Sequence, residues 1–117
     1  AKKKTFGGIV CDEFGYLLLR EPKDHFGGYA WTFPKGGQAW GVTTETALRK
    51  VWEETGVEAN IEESVPGMFE GDTSVASYFL MSRVRDTGCF DDGTQSIRWV
   101  RFGGVPALLR ETENLPG

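Results

Sequence analysis

Little in this sequence points outward to a membrane, a disulfide framework or a nucleic acid. Cysteine is scarce: Cys11 and Cys89 are the only two. They lie far apart without metal-ligand spacing, so they read as reduced, partly buried thiols. Long apolar runs are missing too, and no stretch approaches the roughly 20 apolar residues a membrane span requires. Lys2-Lys3-Lys4 mimics the start of a signal peptide, but the chain reaches Asp12 and Glu13 without an adequate apolar block or cleavage site. The expected location is therefore the cytoplasm. Positive charge is in short supply, with 13 Lys and Arg against 17 Asp and Glu and a formal charge of −4. That balance argues against a general nucleic-acid binder, whose affinity rests on clustered Lys and Arg. Lys2 to Lys4 reads as a solvated terminus. With 117 residues, and aromatic and aliphatic residues throughout, the expected organisation is one domain over 1–117.

What is present is a regular alternation of elements. Thr5 to Cys11 and Tyr16 to Arg20 are β-prone runs around Asp12-Glu13-Phe14-Gly15, the pattern of a hairpin. Residues 21–29 read as a loop, and Ala30 to Phe33 as a short strand ended by Pro34. A helix follows, capped by Thr43 or Thr44 and stopped by Gly56. At about 100° per residue, Ala47, Leu48, Val51, Trp52 and Thr55 share one arc and Arg49, Lys50, Glu53 and Glu54 the other. Strands are expected at Glu58 to Ser64, Met68 to Glu70, Ser74 to Val84 (apolar on both faces) and Ser96 to Phe102. A short helix closes the series at Val105 to Arg110, with Pro106 in its first turn. The order is that of an α+β domain with a mixed sheet between helices.

Arg49-Lys50-Val51-Trp52-Glu53-Glu54-Thr55-Gly56-Val57 is similar to the second half of the Nudix box, G-x5-E-x7-R-E-U-x-E-E-x-G-U with U apolar. Trp31-Thr32-Phe33-Pro34-Lys35-Gly36 resembles that family's lead-in. The resemblance implies an α/β/α sandwich with a mixed sheet. It also implies Glu53 and Glu54 as ligands of Mg²⁺ or Mn²⁺, the carbonyl of Gly36 or Gly37 completing the coordination, and Arg49 orienting the helix carboxylates. Without it, the same residues would be a solvated helix face carrying an Arg49–Glu53 pair worth about 0.2 to 0.5 kcal/mol.

The chain departs from the pattern where it matters for chemistry. Lys50 stands where the family has a glutamate directly after the arginine. The other expected glutamate falls at Gly41, and the opening glycine at Lys35, with Gly36 and Gly37 as its replacements in a shortened loop. The ammonium of Lys50 could compete for the cation position, or point away to touch substrate phosphate. Replacement carboxylates, for acid–base work or metal, are Glu70, Asp72, Asp91 and Asp92; Gln95 stands near the place where many relatives carry an additional acid. Turn formation is the ordinary role of such residues.

Lys35, Arg20 and Arg49 are candidates to neutralise phosphate oxygens, with Lys50 beside them. Phe26, Tyr29 and Trp40 could stack on a base, and His25 is a weak candidate base. The resemblance, which extends to Arg98-Trp99-Val100, points to members acting on dinucleoside polyphosphates or capped or 5′-phosphorylated RNA ends. Two readings follow. One is a metal-dependent hydrolase cleaving the diphosphate linkage of a nucleoside diphosphate derivative, with attenuated activity. The other is a catalytically inactive module that binds a nucleotide or a protein through the same cleft.

Overall fold

The computed structural model describes residues 2–37, 41–71 and 73–111. Among the described residues, seven strands and two α-helices run in the order β1 (Lys3–Cys11), β2 (Tyr16–Pro22), β3 (Lys35–Gly37), α1 (Thr43–Thr55), β4 (Val57–Ser64), β5 (Phe69–Glu70), β6 (Ser74–Asp86), β7 (Thr94–Arg101) and α2 (Val105–Arg110). The strands form one mixed sheet in the order β4-β6-β1-β2-β7, with β3 against β1 and β5 against β6. β1 and β6 pair in parallel along nine positions; the β2–β7 and β4–β6 pairs are antiparallel. The turn after β1 is held by Asp12, whose Oδ1 accepts from the N–H groups of Phe14 and Tyr16, both at 2.9 Å. Gly15 takes φ of 85° there, a conformation that costs glycine least.

Each face of the sheet has its own core. α1 covers Val10, Leu18, Val57, Phe79 and Met81 with its buried Ala47 and Val51. Val105, at the start of α2, packs with Leu17, Leu19 and Val100 on the other side. The helices thus lie on opposite faces, as the α+β sandwich expectation holds. Buried Ala76 and Tyr78 alternate with buried Phe79 and Met81 along β6, so that strand is apolar on both faces. No helix among the described residues is long and apolar enough to cross a membrane. Cys11 and Cys89 are both free thiols.

The local expectations changed in several places. Residues 21–29 are not all loop, since β2 runs on to Pro22 and Lys23–Gly28 forms a 3-10 helix. Ala30 to Phe33 is not a strand: Thr32 makes one bridge with Arg20, and the ladder begins after Pro34, which donates no hydrogen bond. Lys35–Gly37 can lie on β1 because a Cβ at Gly7 would collide with the Pro34 carbonyl. Neither threonine caps α1. Its cap residue is Val42, without a side-chain hydrogen bond, and Thr43 and Thr44 already lie in the first turn. Trp52, placed on the apolar arc, is 43% exposed. The stop at Gly56 stands, with φ of 71° and its N–H on the Trp52 carbonyl.

Candidate active site

The last turn of α1 would leave carbonyls without partners, and the segment leading from β6 into β7 supplies them. The N–H of Asp91 donates to Glu53 O at 2.8 Å. The Thr94 hydroxyl donates to Glu54 O at 2.7 Å and accepts from Arg20 Nε at 2.8 Å. Arg20 also places Nη2 on Gly93 O at 2.6 Å. One guanidinium on β2 therefore ties the start of β7 to the end of α1. Thr94 is the joint of this assembly and carried no signal in sequence, since a threonine before a strand has no chemical signature of its own.

Glu54 turns inward from that joint. Its Oε1 accepts the backbone N–H of Lys35 at 3.0 Å and lies 3.6 Å from Arg20 Nε, and its side chain is only 14% exposed. Burial pushes the Glu54 carboxyl up to about 7, with Asp91 adding to the rise, while Arg20, the Lys35 N–H and Lys50 oppose it. Burial also lowers the pKa of Lys35, against the pull of Glu54 and with the help of Arg20. Lys35 Nζ lies 5.8 Å from the centre of the Tyr29 ring. Glu54, Arg20, Lys35, Tyr29 and Phe26 all line a cleft of about 630 Å³, within the usual range for small-molecule sites. Phe26 stands at 83% exposure.

Glu53, one residue earlier, points elsewhere. Its carboxylate lies 3.4 Å from Lys50 Nζ and 3.9 Å from Arg49 Nε, and 42% of it is exposed. The Lys50 stem runs across Gly36, so closely that a Cβ there would be 2.6 Å from Lys50 Cδ. Gly37 is covered in the same way by Lys3. Glu70 is paired with Lys2 at 2.9 Å and is 72% exposed. Asp91 accepts the Gly93 N–H at 3.1 Å, and its charge reaches Glu54. Asp92 is exposed in the same turn. His25 pairs with Glu21 at 3.0 Å. Trp40 and Asp72 lie outside the described residues.

The NUDIX domain profile matches residues 1–115, and the chain belongs to that family. Among solved structures it is similar to two NUDIX hydrolases from Nitrosomonas europaea. One has a TM-score of 0.75 at 19% identity, over 90% of this chain and 60% of that one. The other has 0.73 at 17%, over 97% and 87%. It is also similar to a C. elegans Ap4A hydrolase in a binary complex, with a TM-score of 0.68 at 18% identity over 94% and 96%. The chain thus spans less than two thirds of the length of the first of these. No curated protein matches it.

Nudix hydrolases generally use divalent metals. Mg²⁺ asks for a near-octahedral set of oxygens, and among the described residues no three His, Cys, Asp or Glu side chains gather to hold an ion. The two helix glutamates diverge, and an ion between Glu53 and Gly36 would meet the Lys50 ammonium. As arranged, these residues do not fit a resident divalent ion.

Proposed function

We propose that this chain is a Nudix-type hydrolase acting on the diphosphate linkage of a nucleoside diphosphate derivative, with a dinucleoside polyphosphate as the leading substrate class. The observation that carries this reading is a buried carboxylate, Glu54, sharing one cleft with Arg20 and Lys35. Arg20 and Lys35 supply positive charge for phosphate oxygens, and Tyr29 and Phe26 offer aromatic faces to a base. Glu54 takes the proton of an attacking water as its oxygen bonds to phosphorus. The bridging P–O bond breaks, and two phosphate-bearing products leave. Asp91 is the second acid, acting through its charge on Glu54. The Ap4A hydrolase among the similar structures supports the substrate class, and an RNA end that is capped, or 5′-phosphorylated with two or more phosphates, presents the same linkage. The reading keeps the protein in the cytoplasm.

A second reading, a non-catalytic nucleotide-binding module, is favoured by one observation, the ion pair of Lys50 with Glu53. Phosphate release from a panel of nucleoside diphosphate derivatives, measured in chelator and in Mn²⁺, separates the two. Turnover that falls at least about 100-fold in Glu54→Gln supports the hydrolase. Turnover unchanged in that variant moves the chemistry elsewhere. Nucleotide binding without release by the wild type favours the module.

A further inference from the structure

Lys50 lies at the junction of three groups that would otherwise attract a cation. Its ammonium is 3.4 Å from Glu53 Oε1, its charge acts on Glu54, and its methylene stem is laid along the backbone of Gly36. The stem fixes the head: Gly36 leaves room for the chain because it has no Cβ, and only 27% of the Lys50 side chain is exposed. A lysine whose stem is packed while its charged end faces a carboxylate behaves as a placed point charge rather than a free surface tether.

We infer that Lys50 is an internal cation standing in for a divalent ion beside Glu53 and Glu54, so that the domain takes its polyphosphate ligand without a resident metal. The ligand half of this statement rests on the function proposed above; the half concerning the ion does not. A cation already supplied by the protein neutralises Glu53 and adds its charge near Glu54, and a second positive charge within a few ångströms is repelled. The positive charge facing a diphosphate comes from Arg20 and Lys35 in the cleft, both independent of metal.

Two variants test it. Lys50→Met keeps an unbranched stem on Gly36 and removes the charge; Lys50→Glu reverses the charge. Mn²⁺ binding is followed by the electron paramagnetic resonance of the free ion, and nucleotide binding by a fluorescent ADP analogue in EDTA and in Mg²⁺. The wild type is expected to bind Mn²⁺ only weakly. Lys50→Met should bind it several-fold more tightly, and Lys50→Glu at least about tenfold more tightly. The ADP analogue should bind wild type with a Kd that changes less than about threefold between EDTA and Mg²⁺. The inference is overturned if the wild type binds Mn²⁺ as tightly as folded Lys50→Glu, or if neither variant, folded by circular dichroism, gains affinity. It is overturned equally if EDTA strips the analogue from the wild type. Should Mn²⁺ affinity rise as expected while no protein binds the analogue, Lys50 is the internal cation and the nucleotide reading fails instead.

Discussion

Glu53 and Glu54 are neighbours in sequence and belong to different regions of the molecule. The floor of the cleft holds Glu54 at 14% exposure against Arg20 and the Lys35 N–H. The outer edge of α1 holds Glu53 at 42% exposure between Arg49 and Lys50. About 100° of helix rotation therefore separates a carboxylate that has lost most of its water from one that keeps it. Burial, more than residue type or nominal pairing, decides what each charge is worth, because an ion pair in water gains little and an ion out of water costs much when its partner is removed.

The largest expected effect is at the floor. Arg20→Ala removes the guanidinium beside Glu54 together with the bonds to Thr94 and Gly93. At pH 8 this leaves a desolvated carboxylate unpaired, and the loss should be about 3 kcal/mol. In a domain of this size that lowers the melting temperature by on the order of 10 °C. A loss below about 1 kcal/mol, read by urea unfolding, would show that the floor is wetter than its geometry indicates and erase the contrast with the edge.

Glu54→Gln should move stability the other way. The folded-state pKa of Glu54, about 7, lies above its ordinary value of 4.5. The folded protein therefore holds this proton more tightly than the unfolded chain does. The stability contributed by the protonated form is fully present below about pH 4.5 and is lost as pH rises through about 7. Glutamine cannot ionise and still accepts the Lys35 N–H. The variant should gain about 1 to 3 kcal/mol over wild type at pH 8 and little at pH 4.5, flattening the profile between them. Equal slopes in wild type and variant would place the ionised carboxylate in contact with water.

Much of the architecture could be read from the chain because it depends on period and punctuation. The alternation in β6 and the break at Gly56 are local properties, and both survive in the structure. The ladder at Lys35–Gly37 was hidden because glycines form strands poorly. It exists through the fit of that segment against Gly7, a contact between residues far apart in sequence. The site was half legible. The helix pattern singled out Glu53 and Glu54, but a helical projection puts both on the polar arc and cannot tell that one of them is buried. That distinction comes from Arg20, Thr94 and the Lys35 backbone, which arrive from three separate strands. Lys50 departs visibly from the pattern, whereas its bed on Gly36 is a contact that only the folded chain creates.

The smallest expected effect lies at the edge. Glu53→Gln removes the charge between Arg49 and Lys50, yet both long side chains and the carboxylate already have water to turn to. Stability should change by less than about 0.5 kcal/mol, which is less than about 3 °C in melting temperature. Its consequence should appear in ion binding instead. Without Glu53 the Lys50 ammonium faces no carboxylate at 3.4 Å, and the variant offers Mn²⁺ one ligand fewer, so it should bind the ion no better than wild type does. A destabilisation as large as that of Arg20→Ala would place the outer edge of α1 in the same low-dielectric environment as the cleft floor. Two adjacent glutamates would then be equivalent in energy despite their threefold difference in exposure.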